Sequence, residues 1–139
     1  MSDFELTDPG SYSFWAEEHV RFADLDMLGH VNNKAYATYF ETARVSFMTH
    51  CGLSDGVKVG VAMVRLEIDY RKEIRFPATL RLGVRLCKLG NSSLTLACAI
   101  FNGEVCASTS KSIAVRFDGA TRGSKPFSDE ERRALEAYL

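Results

Sequence analysis

Residues 20–44 read VRFADLDMLGHVNNKAYATYFETAR, and the change of pattern within this stretch decides how the chain folds. Its first residues, up to Asp24, are typical of the end of a strand, whereas apolar residues recur at helical spacing from about Lys34 onward. Asn32 and Asn33 stand at the junction, where an Asn side chain can accept from backbone N–H groups that have no intrahelical partner. The stretch therefore predicts a strand, a tight turn and the capped start of a helix.

Two ionisable side chains, Asp26 and His30, fall in the predicted turn, and Gly29 lies directly before His30. The turn delivers them to a helix N-terminus, which offers free N–H donors and a partial positive charge. This combination suits an oxyanion that forms on an acyl carbonyl. Asp26 could instead serve only to cap the turn, because Asp is common in turns. His30 could act as a hydrogen-bonding turn residue or could orient Asp26 or a water.

Outside this stretch, the chain predicts one long helix and a set of antiparallel strands. The helix covers about 33–51, and Gly52 supplies its C-terminal stop. The first strand is predicted over about 17–24 after a loosely docked lead-in of residues 1–16. Alternating strands of the second half have apolar faces formed by Val64, Leu66, Ile68 and Tyr70, by Leu80, Leu82, Val84 and Leu86, and by Leu94, Leu96, Cys98 and Ile100. A last strand covers about 104–117, and residues 128–139 are expected to form a short helix that begins with a capping box. The plan is α+β.

The composition indicates a single globular domain spanning residues 1–139, with 46% hydrophobic residues, 25% charged residues and a net charge of -1. The near-neutral charge favours neither nucleic acid nor an acidic membrane as a partner. No basic and apolar leader and no membrane-length apolar run is visible, so we expect a cytoplasmic protein. The four cysteines lack C-x-x-C spacing, which indicates reduced thiols rather than a metal site. A two-residue turn at Asn102 and Gly103 predicts that Cys98 and Cys106 lie on opposite faces of the sheet.

The motif Asp26-x-x-Gly29-His30-Val31-Asn32-Asn33-x-x-Tyr36-x-x-Tyr39-x-Glu41-x-Ala43-Arg44 resembles that of the hotdog-fold acyl-CoA thioesterases of the 4-hydroxybenzoyl-CoA thioesterase type. The resemblance continues through Asp69-Tyr70, Gly90-x-Ser92-Ser93 and Val115-x-x-Asp118, and it covers roughly residues 17–125. It implies the hotdog fold, in which a five-stranded antiparallel sheet wraps around one long central helix. It also implies that the protein hydrolyses an acyl-CoA thioester to the free acid and CoA.

The resemblance assigns roles to residues of the turn and the helix. Asp26 would be the acid that attacks the thioester or activates water, with His30 as a secondary candidate and Gly29 shaping the turn. Asn33 would donate its backbone N–H to the oxyanion, and Tyr36 would contact the substrate. A second branch of hotdog thioesterases uses a Glu on the helix, which makes Glu41 a competitor. We expect Glu41 to form an ion pair with Arg44 instead, three residues later.

Family members bind the CoA nucleotide near the Gly-x-Ser-Ser turn, which implicates Ser92 and Ser93. Arg122 and Lys125 are expected to pair with CoA phosphates, although solvated surface charge is the alternative for each of them. No metal or cofactor is required. The resemblance also implies a homodimer or homotetramer, because one sheet with one helix leaves a sheet edge uncovered.

Two alternative functions remain open. Plant acyl-ACP thioesterases share the Asp-x-x-x-His-Val-Asn-Asn pattern, but they are longer chains with an Asn in place of Leu28. The other alternative is a non-catalytic acyl-binding hotdog protein, against which the intact Asp26 argues.

Overall fold

The structure is a computed structural model that describes residues 4–54 and 60–139. Over these residues the elements are β1 (Phe14–His19), α1 (Asn33–His50), β2 (Val61–Tyr70), β3 (Thr79–Leu89), β4 (Ser93–Asn102), β5 (Val105–Asp118), β6 (Gly123–Ser124) and α2 (Asp129–Glu136). Short 3-10 turns occupy Pro9–Ser11 and Phe22–Asp24.

The strands form an antiparallel sheet in the order β1-β3-β4-β5-β2, and the short β6 pairs with the end of β5. Helix α1 packs mainly on β1, β3 and β4. The predicted α+β plan, an antiparallel sheet against one long helix, is therefore confirmed, and β6 is an addition to the five predicted strands. Strands β1 and β2 form the two edges of the main sheet; α1 covers β1, whereas it covers little of β2.

The bounds of α1 follow from its caps. The Asn32 side chain accepts the N–H of Lys34 at 2.9 Å, which satisfies one of the free donors at the helix start. Gly52 adopts φ +81 directly after the last turn, a backbone conformation that favours glycine. Between the caps, the aromatic side chains of Tyr39, Phe40 and Phe47 are completely buried. The predicted helix is correct to within one residue.

Strands β3 and β4 follow the predicted alternation. Their inward side chains are at most 2% exposed, and they are Leu80, Leu82, Val84, Leu86, Leu94, Leu96, Cys98 and Ile100. Strand β2 departs from it, because Leu66 and Ile68 are half-buried while Val64 and Tyr70 are 62% and 48% exposed. The predicted dry face of β2 was wrong at Val64 and Tyr70, because a register shift between Met63 and Arg65 interrupts the alternation at Val64 and because α1 covers little of this strand.

The predicted first strand was placed too late in the sequence. Strand β1 ends at His19, and the next residues turn into the Phe22–Asp24 segment. The Asp24 carboxylate accepts the backbone N–H of Arg21 at 2.9 Å, a local side-chain bond that competes with strand pairing. The strand therefore covers Phe14–His19 rather than residues 17–24.

The described part of the predicted lead-in is packed rather than loose. The Tyr12 side chain is buried on the outer face of the sheet, which is the face turned away from α1, against Ala97, Ala99 and Phe101. A Cβ placed on Gly83 would lie 2.7 Å from the Tyr12 ring, so the ring fits because Gly83 has no side chain. Small residues on β3 and β4 thus leave room for the segment before β1 to pack on the outer face of the sheet.

The β4–β5 hairpin turns one residue later than predicted. Asn102 pairs with Val105, so the two turn residues are Gly103 and Glu104, and Gly103 has φ +63. A register shift between Ile100 and Phe101 accompanies the turn. Even so, Cys98 belongs to the inner core and Cys106 to the outer-face cluster, as predicted, and all four cysteines are free.

Helix α2 begins at the predicted capping box. The Ser128 side chain accepts the N–H of Glu131 at 3.1 Å, and the Glu131 carboxylate accepts the N–H of Ser128 at 3.0 Å. The same carboxylate pairs with the Arg116 guanidinium at 2.7 Å. This ion pair fixes α2 to the end of β5.

Candidate active site

The turn before α1 is closed by its own backbone. The N–H of Asp26 donates to the carbonyl of His30 at 3.1 Å, and the N–H of Gly29 donates to the carbonyl of Asp26 at 3.1 Å. Gly29 has φ +84, a conformation that other residues rarely adopt. The Asp26 carboxylate accepts the N–H of Leu28 at 2.9 Å, so the capping function is present. A carboxylate has further lone pairs, so Asp26 can accept another hydrogen bond.

Asp24, two residues earlier, has a different environment from Asp26. The Tyr39 hydroxyl donates to its carboxylate at 2.6 Å, and its backbone carbonyl accepts the N–H of Asn32 at 2.9 Å. Burial raises the pKa of Tyr39, and the hydrogen bond to Asp24 raises it further, so the phenol remains a donor. Asp24 therefore holds the turn against α1.

The start of α1 presents a free backbone donor. Asn33 is exposed, and in the described part of the chain its N–H has no hydrogen-bond partner. The unpaired N–H groups at a helix start carry a partial positive charge. A carbonyl oxygen placed here would gain a donor at the moment when negative charge develops on it.

A cavity of about 190 Å³ lies beside this helix start. Its lining comes from the turn, the first turn of α1 and the end of β2, and it consists of His30, Val31, Asn33, Tyr36, Tyr70, Arg71, Lys72 and Glu73. Three predicted site residues, His30, Asn33 and Tyr36, thus meet in one cavity. Asp26 and Gly29 are not part of the lining, but they form the turn that leads into it.

Two tyrosines form a wall of the cavity. Tyr36 is almost fully buried, its hydroxyl donates to the carbonyl of Lys72 at 3.0 Å, and burial raises its pKa. The Tyr36 and Tyr70 rings pack edge to face, with 5.2 Å between their centroids. The Tyr70 hydroxyl donates to the carbonyl of Asn33 at 3.4 Å. These contacts fasten the end of β2 to the helix start.

The His30 imidazole lies between a backbone and a side-chain oxygen. Its Nδ1 is 3.3 Å from the carbonyl of Val31, and its Nε2 is 3.7 Å from a carboxylate oxygen of Glu73. This arrangement orients the ring within the cavity.

The residues at the end of β2 were missed by the sequence reasoning. Arg71, Lys72 and Glu73 follow the strand directly, and this run of charge after an alternating strand is the signal that could have found them. Arg71 donates from Nε to Thr109 Oγ1 at 3.2 Å. Two cationic side chains beside the cavity favour an anionic ligand.

The predicted CoA contacts, Ser92, Ser93, Arg122 and Lys125, lie at the other end of the sheet. Ser93 pairs with Val115, and Val115 pairs with Ala62 near the start of β2, whereas the cavity adjoins Tyr70 at its end. Eight strand residues span about 26 Å. Within one chain, these four residues and the cavity therefore belong to separate regions.

The expected ion pair between Glu41 and Arg44 was wrong. Glu41 is exposed, whereas Arg44 is only 6% exposed, and no ion pair within 4.0 Å joins these two described residues. Positions three residues apart are neighbours on a helix, about 60° apart around its axis, but here one side chain is turned to solvent and the other into the core. Glu41 acts on Arg44 only through a longer-range charge interaction, and it does not line the cavity.

Two further features concern the described residues, 4–54 and 60–139. Neither α1 nor α2 combines the length and hydropathy that a membrane span requires. The same residues hold no cluster of three or more His, Cys, Asp or Glu side chains arranged to bind a metal ion.

The sequence profile of the thioesterase-like superfamily matches residues 20–135, a region that includes the turn, the helix and the whole main sheet except β1. The chain belongs to the thioesterase-like superfamily. Its curved sheet and long helix are those of the hotdog fold. The uncharacterized protein YsmA of Bacillus subtilis strain 168 is 30% identical over 128 residues, which cover 90% of this chain and 86% of YsmA.

Solved structures that share the fold include those of two thioesterases. A thioesterase from Thermus thermophilus, in complex with coenzyme A and Zn, is 28% identical and superposes with a TM-score of 0.82, covering 92% of this chain and 95% of the other. The DHNA-CoA thioesterase from Staphylococcus aureus is 23% identical with a TM-score of 0.78, and 88% of each chain is covered. At that lower identity the second likeness concerns the fold alone.

Proposed function

We propose that the chain is an acyl-CoA thioesterase of the 4-hydroxybenzoyl-CoA thioesterase type, which hydrolyses an acyl-CoA thioester to the free acid and CoA. The observation that carries the proposal is an acid, Asp26, in a Gly-closed turn that leads directly to the free N–H of Asn33 at a helix start. Membership of the thioesterase-like superfamily supports the reaction class. The coenzyme A bound to the Thermus relative supports CoA as the acyl carrier.

The thioester carbonyl would lie at the start of α1, where the Asn33 N–H stabilises the oxyanion. Asp26 then acts by one of two routes. As a nucleophile, it attacks the carbonyl carbon, the C–S bond breaks, and the thiolate leaves as CoA; water hydrolyses the resulting mixed anhydride. As a general base, it takes a proton from water while the oxygen of that water attacks the carbon. His30, which is hydrogen-bonded through its carbonyl to the Asp26 N–H, is the second candidate for proton transfer.

The proposal includes a second copy of the chain. Strand β2 is an edge of the main sheet, and its Met63 and Val64 side chains are largely exposed. Antiparallel pairing of two such edges about a two-fold axis would place the start of one β2 beside the end of the other. The Ser92 and Ser93 region of one copy would then approach the Tyr70 end of its neighbour, as a CoA site shared between subunits requires.

The oligomer has a direct test. We expect light scattering at working concentration to show a homodimer or homotetramer that hydrolyses its substrate. A monomer with full activity would contradict this part of the proposal.

The function itself is tested with a panel of acyl-CoA thioesters that varies in chain length and aromaticity, together with one acyl carrier protein thioester. Release of free thiol is followed for each compound, and binding is measured in parallel. Hydrolysis of at least one acyl-CoA well above the buffer rate is the expected result. Hydrolysis of the carrier-protein thioester alone would assign the alternative substrate, and binding without thiol release would show a non-catalytic acyl-binding protein.

A further inference from the structure

Arg44 is the buried charge to which the proposed reaction gives no role. The residue points from α1 into the core, it is only 6% exposed, and its Nη1 has no hydrogen-bond partner. Among residues 4–54 and 60–139, no ion pair to Arg44 is present. Burial lowers the pKa of the guanidinium, an effect that the charge of Glu41 opposes only in part from beyond ion-pair distance, and arginine keeps its charge in proteins. Because a buried charge without a partner is costly, an anion beyond the described residues would stabilise it.

Two polar groups share this buried position. The Cys98 thiol interacts electrostatically with Arg44, and Ser110 on β5 is the strand partner of Cys98. Burial raises the pKa of Cys98 to about 12, so it is a neutral thiol and no counter-ion at neutral pH. Ser110 is 3% exposed, and the Cys98 thiol is the polar group beside its hydroxyl. We call Arg44, Cys98 and Ser110 the Arg44 cluster.

The Arg44 cluster lies further along the strands that border the candidate active site. Tyr70, a wall of the cavity, pairs with Ser108, and Ile68, two residues along β2, pairs with Ser110. Two strand residues span about 7 Å. Helical side chains also point back toward the helix N-terminus, which directs Arg44 toward the cavity. The cluster is therefore within reach of an extended group whose other end occupies the start of α1.

We propose that Arg44 binds the far carboxylate of a dicarboxylic acyl group. The planar guanidinium can donate two parallel N–H bonds to a carboxylate, and the Ser110 hydroxyl can donate a third. The aliphatic stem would lie against Leu66 and Ile68, which are half-buried on the inner side of β2. This assignment rests on the proposed function, since it takes the other end of the acyl group to be the thioester at Asn33.

Binding of the free acids tests the site without any need for hydrolysis. Calorimetry compares decanedioate with decanoate on the wild type, on Arg44→Met and on Arg133→Met, an exposed arginine of α2 that serves as the matched control. We expect the wild type and Arg133→Met to prefer the diacid by about ten- to hundredfold, which is the usual effect of hydrogen bonds to a charged group. Arg44→Met should lose this preference.

Thermal unfolding without ligand supplies a second readout. Arg44→Met should keep or raise the melting temperature, because the substitution removes an unpaired buried charge. A lower melting temperature together with dissociation of the oligomer would mean that a second copy supplies the anion, and it would overturn the proposal. Equal binding of both acids by the wild type would overturn it as well.

Turnover separates this inference from the proposed function. The wild type should hydrolyse decanedioyl-CoA with a higher kcat/KM than decanoyl-CoA, and the ratio should fall in Arg44→Met. If both thioesters are hydrolysed equally, the thioesterase function stands and the carboxylate site does not. If neither is hydrolysed but the diacid still binds preferentially through Arg44, the carboxylate site stands and the proposed function fails.

Discussion

The sheet has two halves that differ in what covers their inner face. In the covered half, β3 and β4 turn aliphatic side chains toward α1, and these side chains are almost completely buried. In the edge half, β5 contributes the buried hydroxyl groups of Ser108, Ser110 and Ser112, and β2 contributes side chains that remain half-exposed. Alternation predicts burial only where the covering layer belongs to the same chain. The inner face of the edge half is thus more polar, and its β2 side chains remain open to a substrate or a second copy of the chain.

The largest stability effects should fall in the covered half. Leu82→Ala is expected to reduce the free energy of unfolding by about 2 to 5 kcal/mol, because the residue is fully buried and the cavity cannot collapse. Leu66→Ala on β2 should cost less than about 2 kcal/mol, since Leu66 is already half-exposed. Denaturant unfolding measures both. Equal losses at the two sites would show that the halves do not differ.

The exposed Arg81 provides the matched control for Leu82 on the same strand. Its guanidinium lies 4.2 Å from the centre of the Trp15 ring on the outer face, and it contributes nothing to the inner core. We expect Arg81→Ala to change the free energy of unfolding by about 0.5 kcal/mol or less. A cost as large as that of Leu82→Ala would mean that the assigned strand register is wrong.

Two arginines with little exposed surface, Arg116 and Arg44, can be compared in the same way. Arg116 has its partner in Glu131 at 2.7 Å, whereas Arg44 has none in the described chain. Burial raises the pKa of Glu131, but the hydrogen bonds from Arg116 and the Ser128 N–H outweigh it, so the net pKa is below the ordinary 4.5. A lowered folded-state pKa stabilises the protein above the unfolded value, and this contribution is lost as the pH falls through the folded value.

Glu131→Gln tests this ion pair. The substitution should cost about 1.5 to 3 kcal/mol near neutral pH, the usual contribution of a hydrogen bond to a charged group. The variant should also lose less stability than the wild type when the pH drops below the ordinary Glu range. Unfolding curves at neutral and acidic pH measure both effects, and identical acid profiles would show that the pair does not contribute.

The smallest stability effect is expected at the exposed edge, where the consequence is instead a change in assembly. Val64→Lys should leave the protomer within about 0.5 kcal/mol of wild type, but a lysine on an edge strand opposes the addition of another strand. Light scattering should then show dissociation. Val105→Lys, at an exposed valine in the β4–β5 hairpin, is the control that should keep the oligomer. Dissociation of both variants, or of neither, would remove β2 from the interface.

Most of the fold could be predicted from local patterns. The Asn32 cap, the Gly52 stop and the alternation of β3 and β4 each depend on residues close together in sequence, and all were correct. The packing of Tyr12 over Gly83 depends on residues about seventy positions apart, and periodicity does not report such contacts. The exposure of β2 likewise depends on its position in the strand order.

The candidate site shows the same division. Asp26, Gly29 and Asn33 lie in one short stretch with a turn and a cap, and the resemblance of this stretch to the hotdog thioesterases singled them out. Glu73 comes from the end of a strand that is paired through β5, and only the fold brings it to His30. The burial of Arg44 was not predicted either, because an Arg three residues after a Glu on a helix is typical of a surface pair.

The most direct test of the central claim is single-turnover hydrolysis of the best acyl-CoA substrate by Asp26→Asn, with Glu41→Gln as the matched control. Both substitutions replace a carboxylate by an amide of similar size, but only Asp26 stands in the turn that leads to the helix start. We predict that Asp26→Asn lowers the hydrolysis rate by about 10²- to 10⁴-fold with acyl-CoA affinity largely retained, while Glu41→Gln keeps most of the rate. Hydrolysis by Asp26→Asn within about threefold of wild type, well short of a general base's usual contribution, would contradict the assignment.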